Sequence, residues 1–170
     1  MPKKIINTVL SVFLLVVTLP ITIIVAVYLL MRRRDIIAKK TYCCKNCKHF
    51  EMYSFNLDAS SDDNNVKFSN ILRGIPALLN VLAGDMSIVG PSVITPEEYT
   101  TAKSLFPDYE ILVRCNPGII SEAALFLPKI NTPESFISYC ECNAKYIRNQ
   151  SVIHDIEIVA DSILILICGK

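Results

Sequence analysis

The chain has 170 residues, a formal net charge of +1 and 52% hydrophobic residues. That length suits one domain plus an anchor, and so even a charge balance gives no reason to expect nucleic acid. Seven cysteines, an odd number with Cys43 and Cys44 side by side, do not make a secreted disulfide framework and suit a reduced, cytosolic setting.

The hydrophobicity is concentrated at the start. Ile5 to Met31 carries no charge. A straight helix of that length measures roughly 40 Å, more than the roughly 30 Å of hydrocarbon in a bilayer. Lys3 and Lys4 precede it, and Arg32, Arg33 and Arg34 follow, with Lys39 and Lys40 beyond. Such clusters suit anionic headgroups. A signal peptide has a shorter apolar region and a small-residue cleavage site; this segment ends in Tyr28-Leu29-Leu30-Met31 and three arginines. Pro20 in its middle lacks an N–H and clashes with the carbonyl of Val16, which predicts a kink. Thr18 offers a hydroxyl to the freed carbonyl. Basic residues favour the cytoplasmic side, and here they flank both ends. A helix that enters, turns at Pro20 and leaves on the same side obeys that rule. A tilted transmembrane helix with a tolerated proline fits the same hydropathy, and the residues alone leave the two open.

Beyond the anchor, Ile36 to Tyr42 and Lys48 to Phe55 read as two short strands around the polar turn Lys45-Asn46. Asp58 to Asn65 is polar and acidic and reads as an exposed loop. Asn70 to Ala83 has helical spacing, with Ile71, Leu72, Ile75, Leu78, Leu79 and Leu82 as one buried stripe. Asn70 is its N-cap and Gly84 its stop, and Pro76 predicts a separate or kinked first turn. A short helix begins near Pro96-Glu97-Glu98, and Pro117-Gly118 marks a turn. Phe136 to Ile147 and the apolar stretch His154 to Cys168 read as helices.

Cys44-Lys45-Asn46-Cys47 has CxxC spacing, and Cys140-Glu141-Cys142 lies far along the chain. Thiolates at such spacing hold zinc only if a second pair comes close; free thiols at a turn are the simpler reading, and no metal site is assigned. Palmitoylation of juxtamembrane cysteines is a weaker option. His154 reads as a structural helix-surface histidine.

The stretch Leu78-Leu79-Asn80-Val81-Leu82-Ala83-Gly84-Asp85-Met86-Ser87-Ile88-Val89-Gly90-Pro91 resembles the bacterial sugar transferase family, the monotopic polyprenyl-phosphate phosphoglycosyl transferases. Phe50-Glu51-Met52-Tyr53-Ser54-Phe55, Pro117-Gly118-Ile119, the run Tyr146-Ile147-Arg148-Asn149 with Ser151 and Asp155, and the apolar N-terminal segment with its central proline are also similar to the family pattern. The resemblance implies an α+β fold: a small cytosolic domain with a short β-hairpin and several helices, on an N-terminal re-entrant membrane helix. It divides the chain into residues 1–34, the anchor with Pro20 and the basic Arg32, Arg33 and Arg34, and residues 35–170, the transferase-like domain. It implies a place at the cytoplasmic membrane, facing the cytoplasm. It also implies transfer of a sugar-1-phosphate from a UDP-sugar to a polyprenyl phosphate such as undecaprenyl phosphate, in lipid-linked glycan assembly. In the family an aspartate attacks the diphosphate, with an adjacent glutamate and Mg²⁺. Carboxylates serve as nucleophiles in such transfers, and metal and cationic groups neutralise phosphate oxygens.

This sequence departs from the pattern where that chemistry lies. Counted back from Pro76, the Asp-Glu positions hold Arg73 and Gly74. An arginine is a permanent cation and no nucleophile, and glycine has no side chain. The arginine of the family's Gly-Pro-Arg-Pro is Ser92. The arginine after the strand motif is Asn56, and one upstream of the dyad is Phe68. A glycine after the Pro-Gly turn is Ser121, and an aspartate before the Tyr-hydrophobic run is Asn143. Asp85, Gly90, Pro91 and Ser92 remain the substrate-side candidates, and Glu97 is a family-matched residue that also suits a helix start. The expectation is a transferase-like protein, inactive or impaired: a pseudoenzyme. The alternative is a non-catalytic membrane protein that binds polyprenyl phosphate or a UDP-sugar, or partners an active family member. Mg²⁺ is expected only with activity.

Overall fold

A computed structural model describes residues 2–32, 35–57, 72–127 and 132–168. The acidic stretch 58–65, Phe68, Asn70, Ile71, Arg33 and Arg34 lie outside the described residues. Helix α1 (Pro2–Met31) runs through Pro20 without interruption. Its hydroxyls bond back to carbonyls of the preceding turn: Ser11 to Asn7 at 2.6 Å, Thr18 to Leu14 at 2.8 Å, Thr22 to Leu19 at 2.7 Å. Thr18 therefore serves Leu14 and not the carbonyl of Val16 that Pro20 frees. A side chain points back along its helix, so a hydroxyl reaches the carbonyl four residues before itself.

Strands β1 (Ile37–Cys43) and β2 (His49–Phe55) form an antiparallel hairpin pairing Ile37 with Phe55 and Cys43 with His49. Its turn places Asn46 and Cys47 at φ 61° and 58°, where asparagine is at home and cysteine is not. The helical stretch that follows starts by Leu72, tightens to a 3₁₀ turn at Ile75–Ala77 around Pro76, and continues as α2 (Leu78–Ala83). Gly84 ends it at φ 83°, a value only glycine takes freely. The expected stripe is out of phase here. Leu79 and Leu82 are exposed, while Ile75, Ala77, Leu78, Asn80 and Val81 are buried. The 3₁₀ turn advances three residues per turn and rotates everything after it.

Strand β3 (Ser87–Val89) pairs in parallel with β4 (Gly118–Ile120). Residues read as a Pro-Gly turn thus supply a second small sheet. Between them come α3 (Pro96–Leu105), with a Thr95–Glu98 capping box, and a 3₁₀ turn at Tyr109–Val113. Then follow α4 (Glu122–Phe126), capped by Ser121, α5 (Pro133–Arg148), with a Thr132–Ser135 box, and α6 (Val152–Cys168). Each box satisfies otherwise orphaned N–H groups at a helix start. The architecture is α+β, with one long apolar helix at the N-terminus.

Three apolar clusters hold these parts. One joins Cys43 and Ile94 to α3 and α5 through Ala102, Phe106, Phe136 and Cys140. A second joins Phe50, Val81, Met86, Ile88, Tyr146 and Ile158. The third seats α1 on the domain: Val25 and Leu29 bury against Phe55, Ile75 and Leu78. Leu14 packs on the second and third clusters, and Ser11 is fully buried. Ser11, Leu14, Val25 and Leu29 share one helical stripe. So α1 lies alongside the domain for roughly 27 Å, at 1.5 Å per residue. Its other face exposes Val9, Phe13, Val16, Ile23 and Ile24. The final helix resembles it in this respect: Ile158 and Ser162 are buried, while Ile153, Ile156 and Leu164 face outward.

Candidate functional site

Arg73 and Gly74 sit in the helical turn that leads into Pro76. The Arg73 guanidinium donates through one terminal nitrogen to the backbone carbonyl of Leu57, just past the end of β2. Its Nε is buried and has no hydrogen-bond partner among the described residues. Gly74 has ordinary right-handed helical angles, φ −80° and ψ −12°, and a methyl group added there would meet nothing within 4 Å. A cation and an empty place therefore occupy this corner, between β2 and α2. Neither supplies a nucleophile.

The motif residues after α2 are built differently. Asn80 is 2% exposed. Its amide donates to the Glu51 carbonyl at 2.7 Å and its oxygen accepts from the Tyr53 N–H at 3.0 Å. Its own carbonyl accepts from Asp85 and Met86 at 3.0 and 3.2 Å. One side chain thereby closes the free edge of β2, and its backbone closes the turn at Gly84. Asn116 adds a bond to the Gly84 carbonyl at 2.6 Å. Asp85 faces Lys48 across 3.4 Å, with the lysine mostly exposed.

Gly90 and Gly118 cross at backbone contact. The Gly90 N–H donates to Ile120 at 3.1 Å and the Gly118 N–H to Pro91 at 2.8 Å. A methyl group on Gly90 would lie 2.6 Å from the Gly118 nitrogen, and one on Gly118 would lie 2.6 Å from the Ile120 oxygen and closer still to Gly90. Pro91 is buried, and the Ser92 N–H donates to Asn143 Oδ1 at 2.7 Å. So Asp85, Gly90, Pro91 and Ser92 belong to one continuous run from α2 past β3, held from the other side by β4. Of the anchor residues, Pro20 is exposed on α1, and Arg32 is exposed with its guanidinium 5.6 Å from the Tyr28 ring centroid.

Among the described residues the cysteines form no metal-binding group. Cys43 and Cys140 are buried in one cluster, Cys44 in another, and Cys47 is exposed. Burial pushes the Cys43 and Cys44 thiols up, with the Asp85 carboxylate adding to the effect at Cys44, and burial takes Cys140 to about 11. Protonated thiols are poor nucleophiles and poor metal ligands. An Mg²⁺ ion takes oxygen ligands, commonly one or two carboxylates plus substrate phosphates. Among the described residues, no group of three or more His, Cys, Asp and Glu side chains is placed to hold a metal ion. Asp85 is already engaged by Lys48. Among the described residues the donor set does not fit Mg²⁺.

His154 is a tie between helices. Its Nε2 meets Glu122 of α4 at 3.1 Å and its Nδ1 meets Glu157 at 3.3 Å. Partial burial lowers its pKa, but the bonds to Glu157 and Glu122 outweigh that and leave it raised. Beside it, the buried Tyr146 donates to Asp155 at 2.5 Å. Two buried contributors to the frame escape a reading by periodicity: Asn80 and Asn143. Both are polar residues inside helical patterns, and both are buried by hydrogen bonds to distant backbone. The unusual asparagine between the apolar Leu79 and Val81 was the available signal for Asn80.

Residues 1–169 match the family model of bacterial sugar transferases. Among curated proteins, the UDP-glucose:undecaprenyl-phosphate glucose-1-phosphate transferase of Escherichia coli (strain K12) is 32% identical over 131 residues, covering 71% of this chain and 28% of that protein. The chain thus spans under a third of that relative's length.

Proposed function

The chain belongs to the bacterial sugar transferase family, and on that footing we propose that it keeps the family's frame without the family's transfer reaction, holding a polyprenyl phosphate at the cytoplasmic membrane surface. The observation that carries this reading is Arg73. A guanidinium stands where the family pattern has the attacking aspartate, bonded to the Leu57 carbonyl, with an unfilled glycine beside it. Arginine offers five N–H donors in a fork that matches phosphate oxygens. One of the five serves Leu57 and the Nε–H is buried, which leaves three for a phosphate that the group can hold and cannot attack. The UDP-glucose and undecaprenyl phosphate in the name of the E. coli relative are the first substrates against which this is tested.

The test incubates the purified full chain, in nanodiscs, with UDP-sugars, undecaprenyl phosphate and Mg²⁺, and measures UMP release. No release above background is expected from the parent. Release that disappears in an Asp85→Asn variant would overturn the proposal. Binding of undecaprenyl phosphate, read by retention of radiolabelled lipid on the nanodisc-bound protein, should fall about tenfold in Arg73→Ala, the loss of roughly 1.4 kcal/mol from one charge-assisted contact.

The anchor reading rests on the packing of α1. Asn7–Met31 is long and apolar enough to cross a membrane, with a mean hydropathy of 2.8. Yet one face of it is covered by the domain from Ser11 to Leu29. A lone span perpendicular to the bilayer would pull that domain into the hydrocarbon, where its polar loops lose their water. We therefore propose a re-entrant helix with both ends cytoplasmic and residues 35–170 as the domain it anchors. A cysteine placed at Lys3 in a background lacking the native cysteines should react with a membrane-impermeant maleimide only after the cells are opened. Reaction from outside intact cells would refute the re-entrant geometry.

A further inference from the structure

The first turn of α6 carries His154, the second of the chain's two histidines. Both of its ring nitrogens face carboxylates. Nε2 lies 3.1 Å from Glu122 of α4, and Nδ1 lies 3.3 Å from Glu157, one turn along α6. The His154 side chain is 30% exposed, Glu122 24% and Glu157 65%. The ring stands 5.8 Å, centroid to centroid, from that of the buried Tyr146 on α5. Three helices thus meet at one imidazole.

A neutral imidazole has one N–H and one lone pair, and an ionised carboxylate only accepts. Between two carboxylates the neutral ring satisfies one and turns its lone pair toward the other. Only the imidazolium donates to both, so this arrangement suits the protonated ring. The other groups around it leave that balance in place. Asp155, the next residue of α6, accepts from the Tyr146 hydroxyl at 2.5 Å, and Gln150 donates to that hydroxyl at 3.3 Å. On α5, burial and then Glu122 push the Cys142 thiol up, while Lys145 acts the other way. At His154 partial burial disfavours the charge, but the bonds to Glu157 and Glu122 outweigh it, and the pKa lies above the ordinary 6.5. A raised pKa stabilises the fold fully below about pH 6.5, and that contribution is lost as the pH rises through the folded-state value.

The proton acts where two parts of the frame join. Glu122 opens α4 directly after Ser121, which caps that helix and whose hydroxyl bonds that of Ser92. Helix α6 packs on β3 and β4, with Ile158 buried in the second cluster. When the proton leaves, the mostly exposed Glu157 turns to water at little cost. Glu122 has less water to turn to, and it keeps an ordinary bond where it had a charge-assisted one. Val152 and Ile153 beside the histidine are exposed and add little packing. The first turn of α6 therefore depends on this link more than the later turns do.

We propose that His154 is a proton-operated clasp: protonated, it holds the start of α6 to α4 through Glu122, and neutral, it lets the first turn of α6 open. The clasp does not depend on whether the chain transfers sugar phosphate, and its test does not read activity. The full chain in nanodiscs carries His49→Gln, which leaves one histidine resonance to follow by NMR from about pH 5.5 to about pH 9. The midpoint lies above 6.5 and moves down in Glu122→Gln. A midpoint at or below 6.5, which needs no further variant to be seen, overturns the clasp. So does a midpoint that Glu122→Gln leaves in place. Amide hydrogen exchange over residues 152–157 is then compared at about pH 6 and about pH 8.5, corrected for the intrinsic rise of exchange with pH. Protection in the parent falls about threefold or more between the two, as charge assistance is lost from a partly exposed bond. In His154→Gln, whose side chain carries no charge at either pH, protection stays nearly level. An equal fall in His154→Gln overturns the proposal.

Discussion

Two stretches on either side of the Ile75–Ala77 turn are held in opposite ways. Residues 78–91 keep their family pattern, and the fold explains why: Asn80 closes the edge of β2, Gly84 makes the left-handed stop, and Gly90 meets Gly118 at backbone contact. Nothing comparable holds residues 73 and 74. A methyl group on Gly74 meets nothing within 4 Å, and the Arg73 guanidinium bonds the Leu57 carbonyl while its Nε has no partner among the described residues. Residues that shape the backbone are held by stability. Residues that only reach toward a substrate carry no such constraint. Most reactive positions in a fold are of this second kind.

The largest expected effect lies at the glycine crossing. Gly118→Ala drives a methyl group into the backbone of Gly90 and Ile120, with no flexible side chain to give way. We expect a loss of about 3 kcal/mol or more, seen as a fall of the unfolding midpoint or as failure to accumulate. A midpoint within about 2 °C of the parent would break the comparison at its strongest place. Next comes Asn80→Ala, which leaves the Glu51 carbonyl and the Tyr53 N–H without their partner. A cost of about 2–3 kcal/mol is expected, measured by thermal or urea unfolding. The smallest effect belongs to the other stretch. Gly74→Ala should be neutral or stabilising by about 0.5–1 kcal/mol, because a helical glycine gives way to a better helix former in open space. A clear loss of stability there would mean that residue 74 is held by packing after all.

The hairpin, the helix ending at Gly84, the capped helix at Pro96 and both final helices were legible in the sequence, because local pattern dictates each. Strand β4 was not. A Pro-Gly pair signals a turn wherever it occurs, and only the long-range contact of Gly118 with Gly90 makes the next residues a strand. The stripe on α2 was misjudged at Leu79 and Leu82 because a single 3₁₀ turn shifts the phase of all later positions. The altered positions at 73, 74, 92, 121 and 143 were visible one by one. That three of them touch was invisible, since a sequence does not show which buried oxygen faces which N–H.

The crossing of Gly90 and Gly118 also has a consequence for how the molecule assembles. A parallel pair cannot close by a tight turn; all of α3 and the Tyr109–Val113 turn lie between its strands. Those segments must be compact before the two glycines can meet, and the loop-closure entropy is paid for late. The hairpin, whose contacts are local, has no such delay. The loop from Gly84 to Ser92 therefore settles after the hairpin, and slow-folding variants of this chain will be caught with that loop open and the hairpin already formed.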